Sequence, residues 1–183
     1  MRLTSSNFAA AMGLSPWMSR QKLYRVMVGE ENRDPLNANM QWGIDNEHRA
    51  VSAAEAITGL LFMETGENQV HHALDCYGTT PDGRFRATGL EVKCPQKLTD
   101  EVPDHYLPQV QGQMWIADLD RVVFCQWTPD ESRAWWVIRS DEYIDAMQPL
   151  LADFVACVES ETPPKRRKKP VLPTIETQRI DHA

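Results

Sequence analysis

Two carboxylates and an amine stand close together in the middle of the chain. Thr80-Pro81-Asp82-Gly83 is followed, eight positions after its aspartate, by Leu90-Glu91-Val92-Lys93-Cys94-Pro95. Side chains alternate along a strand, so Glu91 and Lys93 share one face while Leu90 and Val92 point to the other, apolar one. With Asp82 ending the preceding strand and residues 83–89 as the connection, an antiparallel hairpin brings its carboxylate beside Glu91. Hard oxygen ligands in that arrangement suit magnesium, with manganese as a substitute. A partly desolvated Lys93 could hold or deprotonate a water and then stabilise the charge building on a phosphate. These are the parts of phosphodiester hydrolysis. The plainer alternative is an Asp-Gly hairpin turn followed by a solvated, salt-bridging strand face.

Elements on either side must position these groups. Trp42-Gly43-Ile44-Asp45-Asn46-Glu47 opens a helical pattern that runs to residue 58, with Gly59 as its stop. Glu47 shares an apolar face with Ala50, Val51 and Ala54, which predicts an inward carboxylate in need of a cation, a metal or a donor. A glutamate favoured by the helix dipole is the simpler account. Downstream, Leu107-Pro108-Gln109-Val110-Gln111-Gly112-Gln113-Met114-Trp115 reads as a helix with Pro108 in its first turn. Gln109 and Gln113 lie on one face with Gly112, and Val110, Met114 and Ala117 on another. Their amides offer donors to phosphate oxygens or to a water, although solvated glutamines give the same pattern.

Taken in order, the helix glutamate, Pro-Asp-Gly, Glu-Val-Lys-Cys-Pro and Gln-Val-Gln before Met-Trp resemble the PD-(D/E)XK nucleases. Within that superfamily the chain resembles the lambda-exonuclease, YqaJ-type or alkaline-exonuclease branch of viral recombinases, over about residues 3–158. The resemblance implies that Asp82, Glu91 and the Val92 carbonyl bind the catalytic metals, a pair of magnesium ions, and that Lys93 serves the attacking water. It makes Glu47 the residue that completes the second metal environment and places Gln109 near the terminal 5′-phosphate. Ser6, in Leu3-Thr4-Ser5-Ser6-Asn7-Phe8, matches a serine that contacts this phosphate, and Thr80 stands where a serine usually does the same. On the residues alone, Ser5 or Ser6 caps a helix starting near Asn7, and such a terminus is itself a phosphate site. The family's arginine ahead of this serine has no counterpart in register, Arg2 being misplaced for it. Met40 falls at the position of an apolar strand-separating wedge; a core methionine is the alternative.

Length and composition bound the rest. At 183 residues and 42% hydrophobic, the chain suits one domain over residues 1–160 followed by a tail over 161–183. No apolar run approaches a membrane span, and the start lacks the apolar core of a signal peptide, so a cytoplasmic protein without a membrane partner is expected. The resemblance narrows this to a bacterium or a phage-infected host. Cys76, Cys94, Cys125 and Cys157 form no Cys-x-x-Cys pair, which leaves zinc and iron–sulfur sites unsupported and fits reduced thiols. Formal charge is −7, and because residues 161–183 carry six Lys or Arg against three Asp or Glu, the body alone stands at −10. Such a body binds DNA only through local basic surface, for which Arg20, Lys22, Arg25, Arg84, Arg86 and Lys97 are the candidates. The proline-flanked run Lys165-Arg166-Arg167-Lys168-Lys169 has no periodicity and is expected to be disordered, either a tether for DNA or a partner or a solubilising tail.

Patterning predicts a second helix over 19–29, strands over 68–74, 76–81, 90–94, 121–128 and 133–139, and a closing helix over 141–159 kinked at Pro149. His71 and His72 are read as structural or solvent-facing. Helices before, between and after a central sheet make an α/β or α+β fold, and the resemblance specifies the mixed restriction-endonuclease-like PD-(D/E)XK sheet. The function it implies is a magnesium-dependent 5′-to-3′ exonuclease on linear double-stranded DNA. Such an enzyme releases 5′-mononucleotides as a ring-like homotrimer and hands a 3′ overhang to a single-strand annealing protein. A PD-(D/E)XK endonuclease of restriction or repair type and a non-catalytic DNA-binding or assembly module are the competing readings.

Overall fold

The structure, a computed structural model, describes residues 2–66 and 69–181. In chain order its elements are β1 (Leu3–Thr4), a 3-10 turn (Ser5–Asn7), α1 (Phe8–Met12), α2 (Arg20–Met27), α3 (Ala38–Thr58), β2 (Gln69–Val70), β3 (Tyr77–Thr79), β4 (Gly83–Phe85) and β5 (Thr88–Lys93). A second 3-10 turn (Asp104–Tyr106), α4 (Leu107–Ala117), β6 (Arg121–Trp127), β7 (Ser132–Ile138), α5 (Asp141–Glu159) and β8 (Thr177–Ile180) complete it. The main sheet has the order β4-β5-β6-β7-β8, with β5 and β6 parallel and the other neighbours antiparallel. A small sheet, β1-β3-β2, sits apart and joins β1 to β3 in parallel. The expected mixed sheet flanked by helices is the fold observed.

Alternation along the strands divides the interior into two cores. Leu90, Val92, Val123, Cys125 and Ala134 face α3 through Ala50, Ala54 and Ile57. Val122, Phe124, Trp135 and Val137 face the opposite way, into the core built by α1, α4 and α5. Glu91 and Lys93, being out of phase with Leu90 and Val92, therefore project on the α4 side.

Helix boundaries follow local chemistry. Ser19 caps α2 by accepting from the Lys22 amide at 3.1 Å, and Gly59 stops α3 in the left-handed region at φ 69°. α3 begins at Ala38, four residues before the expected start, because Asn37 accepts from the Met40 amide at 2.9 Å and caps it there. Neither Ser5 nor Ser6 caps α1. Ser5 is buried and shares a 2.6 Å hydrogen bond with the Thr79 hydroxyl instead.

Three other expectations change. The strand over 68–74 contracts to Gln69–Val70, with Asn68 outside the described residues. His71 Nδ1 accepts from the Ala73 and Leu74 amides at 3.2 and 3.1 Å, which folds a turn in place of a ladder. His71 is buried and His72 exposed. Asp82 does not end a strand; it directly precedes β4, a strand unforeseen in the supposed connection, and only Arg86 and Ala87 make the hairpin turn. The tail expected to be disordered instead returns to the sheet, where β8 pairs with β7 and Pro164 and Ile175 are buried; the run 165–169 has no regular structure. Among the described residues no helix is long and apolar enough to cross a membrane.

α4 lies unusually close to the N-terminal segment. A Cβ on Gly112 would meet the Phe8 ring at 2.6 and 2.7 Å and Ser5 at 3.2 Å, so only glycine lets the two pack at this distance. Gly112→Ala should therefore lower stability by about 1–3 kcal/mol despite alanine's better helix propensity, read from the midpoint of urea unfolding.

Candidate active site

Glu91 is the centre of the site. It is 1% exposed, and an unpaired carboxylate there would carry a penalty of several kcal/mol by the usual order of magnitude. Three donors satisfy it: Lys93 Nζ and Gln109 Nε2, the latter at 2.6 Å, both on Oε1, and Gln113 Nε2 on Oε2. Gln109 and Gln113 are one helical turn apart on α4, so a single rigid element delivers both amides. Their donor role follows the sequence expectation, but both serve the carboxylate. Gln113, expected as a donor but not among the site residues that the resemblance implies, is fully buried here, and its Oε1 has no partner among the described residues.

Asp82 reaches the same place from β4. Its amide donates to the Leu90 carbonyl at 3.0 Å, and its Oδ2 accepts from the Val92 amide at 2.7 Å. The side chain thus replaces a ladder acceptor and is fixed against β5 beside Glu91. Burial and the Glu91 charge push the Asp82 carboxyl well above the usual range; Lys93 and the Val92 amide pull the other way, and Glu47 adds a small further push. For Lys93, burial favours loss of the proton, but Glu91 and Asp82 outweigh it and hold the ammonium above its ordinary range. As it stands Lys93 is a donor without a lone pair. Its ammonium lies over the Tyr106 ring at 5.3 Å from the centroid. Tyr106 was not anticipated; it stands one residue before the α4 helix that carries the two glutamines.

Glu47 does not turn inward as expected. The buried seam of α3 runs through Asn46, Ala50, Ala54 and Ile57, one position off, so Glu47 is rotated about 100° out of it and is exposed. It acts on Asp82 only through space. Among the described residues no three His, Cys, Asp or Glu side chains are grouped as a metal site. The residues nevertheless fit a divalent cation at the Asp82–Glu91 pair: hard oxygens only, two carboxylates facing a single ammonium, and an aspartate held above its usual range by burial and by the Glu91 charge.

Ser6 and Thr80 are both exposed and lie at one end of the small sheet. β1 pairs Leu3 with Tyr77 and Thr4 with Gly78, and the Ser5–Thr79 hydrogen bond ties the following 3-10 turn, which carries Ser6, to the end of β3, just before Thr80 and two residues before Asp82 in the chain. Ser6 Oγ lies 3.0 Å from Thr4 Oγ1. Arg2 is occupied by the Asp75 carbonyl at 2.8 Å. Met40 is 47% exposed in the first turn of α3, so it is not a core methionine. The cations of α2 are not a free basic face: Arg20 pairs with Asp153, Lys22 with Asp34, and Arg25 with Glu31.

A parallel-containing sheet with Asp82, Glu91 and Lys93 at its β4–β5 hairpin and glutamines on the next helix defines a restriction-endonuclease-like core of PD-(D/E)XK type. The profile of the YqaJ-like viral recombinase domain matches residues 1–120, and the chain belongs to that family. No curated protein matches the sequence. Among solved structures it is similar to an alkaline exonuclease, LHK-Exo, from Laribacter hongkongensis, at 24% identity and TM-score 0.76 over 88% of this chain and 89% of that one. The same exonuclease in complex with dAMP matches at 23% identity and TM-score 0.78 with the same coverage. A phage-related exonuclease from Haemophilus somnus 129PT matches at 15% identity and TM-score 0.67 over 88% and 96% of the two chains.

The charge imbalance predicts a stability signature. A carboxyl with a raised folded value favours folding most below its unfolded value, and that contribution is lost as pH rises through the folded value. Asp82→Asn removes the buried charge and should raise the metal-free Tm at pH 7 by about 2–4 °C, the shift for roughly 1 kcal/mol in a chain of this size. The advantage should shrink on acidification toward pH 4. Magnesium or manganese should raise the wild-type Tm and leave the variant's unchanged, as thermal scans with and without EDTA would show.

Proposed function

We propose that this chain is a metal-dependent DNA exonuclease that digests the 5′-ended strand of linear double-stranded DNA, releasing 5′-mononucleotides and leaving 3′ overhangs. The observation that carries the reading is the convergence of Asp82, Glu91 and Lys93 on one side of β5 under the Gln109 and Gln113 amides. Family membership and the likeness to exonucleases, one of them bound to dAMP, support the substrate class.

Asp82, Glu91 and the Val92 carbonyl would hold Mg2+, or Mn2+ in its place, and Glu47 would complete the environment of a second ion at the open side. Bound there, the metal supplies charge for an attacking water and for the phosphate oxygens. Glu91 and Asp82 are what hold the proton on Lys93 against burial, so engaging their charges with a cation would favour the neutral amine. Lys93 would then be able to exchange a proton with a water beside it. Gln109, half-buried at the mouth, orients water or phosphate, and Gln113 anchors Glu91. Ser6 and Thr80 offer exposed hydroxyls to a terminal 5′-phosphate, and Met40 an exposed apolar side chain for parting the strands.

The residues of this chemistry all lie within 1–160, while 161–183 carry the basic run and the strand that completes the main sheet. The working form is a homotrimer ring that passes its 3′ strand to a single-strand annealing protein, in the cytoplasm of a bacterium or an infected host. An acidic chain of net charge −7 favours enclosure of DNA over adhesion to it.

Digestion of one linear duplex labelled in turn at each end, with magnesium, beside closed circular DNA, tests the reading. The 5′ label should leave first as mononucleotide, circles should survive, and Lys93→Ala should lose at least about 100-fold in rate, the usual scale for a positioned proton-transfer group. Cleaved circles would support an endonuclease instead, and intact DNA throughout a binding module.

A further inference from the structure

The surface beside Lys93 carries an aromatic group that the chemistry above does not use. Trp17, in the loop between α1 and α2, is 68% exposed. The loop is shaped by Ser15, whose Oγ accepts from the Trp17 and Met18 amides, each at 3.2 Å. The indole stands edge-on to His105 at 4.5 Å and 90°, and 5.7 Å from Tyr106, the ring beneath the Lys93 ammonium. His105 and Tyr106 are themselves 4.2 Å apart. Three rings thus form a continuous step from the catalytic amine to solvent, ending on the most exposed of them. Burial and nearby Lys93 lower the His105 value against Asp104, which keeps the imidazole neutral, so the step offers π-faces and no cation of its own besides Lys93.

We propose that Trp17 is a binding residue that stacks a nucleobase of the DNA strand entering the site. The inference deepens the nuclease reading and rests on it. Two observations make a base the fitting occupant. On the proposed reading Lys93 and Glu91 act on a phosphodiester, and Trp17, 5.7 Å from the Tyr106 ring that lies 5.3 Å from Lys93 Nζ, stands where a base attached to that strand can meet it. The α2 cations nearest Trp17 are all paired with carboxylates, so electrostatic grip on this side is weak and contact must come from a π-face, which takes every base alike. The indole stands free of the main cores, so replacing it leaves the fold intact.

The test uses the full chain, with Trp17→Leu and Trp17→Phe, on a short linear duplex and on the same duplex made abasic at its 5′-terminal nucleotides. Binding is read by anisotropy with calcium in place of magnesium, and turnover with magnesium. Trp17→Leu should raise Kd and KM about 5- to 150-fold, the range for losing one stacked base, with kcat changed less than about twofold. Trp17→Phe should recover most of the loss. On the abasic duplex wild type and Trp17→Leu should bind alike, since the partner is already gone. Unchanged Kd and KM in Trp17→Leu on a duplex that wild type cleaves would overturn the stacking role alone, as would an equal loss on both duplexes. Failure of wild type to bind or cleave any duplex would overturn the nuclease reading and the stacking role with it.

Discussion

The structure turns on keeping one carboxylate charged inside the protein. Glu91 sits mid-sheet with 1% exposure, and its three donors come from its own strand and from α4. Because the two amides are on a rigid helix, α4 has to dock at one height and one rotation for both to reach. Gly112, between them on the same helix, lets Phe8 and Ser5 press directly on α4. The tether continues through Ser5 to Thr79 and therefore to the β1–β3 pair. The charged centre and the small sheet are thus two ends of one packing chain. A shift in α4 would disturb both together.

Electrostatics at the centre are deliberately short of positive charge. Asp82 and Glu91 face a single ammonium, and the cations of α2 are bound to Asp153, Asp34 and Glu31. A folded protein tolerates such a deficit because the donors Gln109, Gln113 and the Val92 amide are neutral dipoles, which stabilise carboxylates without cancelling their attraction for a cation. Replacing either glutamine by lysine would instead set a second cation against the pair and cancel its negative potential. The glutamines hold the pocket's negative potential while removing its desolvation penalty.

Much of this was legible because it depends on short-range periodicity. Alternation alone put Glu91 and Lys93 on one side of β5, and the four-residue spacing alone put Gln109 and Gln113 on one side of α4. Capping chemistry located the start of α2 and the end of α3. What escaped depends on where a seam falls or on long-range partners. The stripe Ala50, Ala54 is shared by Asn46 and Glu47 as neighbours, and hydropathy does not choose between them; packing against the sheet chose Asn46. β4 has three residues and no alternation to reveal it, existing only because β5 lies beside it. Ser5 reads as a cap until Thr79 is brought to it by a strand pair 74 residues apart in sequence.

β8 belongs to the same class of hidden partner, and it alters how the basic run should be understood. The sheet would otherwise end at β7, whose Ala134–Val137 backbone would present open hydrogen-bonding groups at its edge. Covering that edge from the far end of the chain draws residues 160–176 back along α5, with Arg167 pinned to Asp153 at 2.7 Å and Pro164 and Ile175 buried. Lys165 to Lys169 are therefore anchored on both sides, in a span whose ends are fixed by the helix before and the strand after. Charges held this way lose less freedom on meeting a polyanion than charges on a free tail, so they can add local positive potential to an acidic body at a defined place. The same strand that finishes the sheet makes the basic run part of the folded surface.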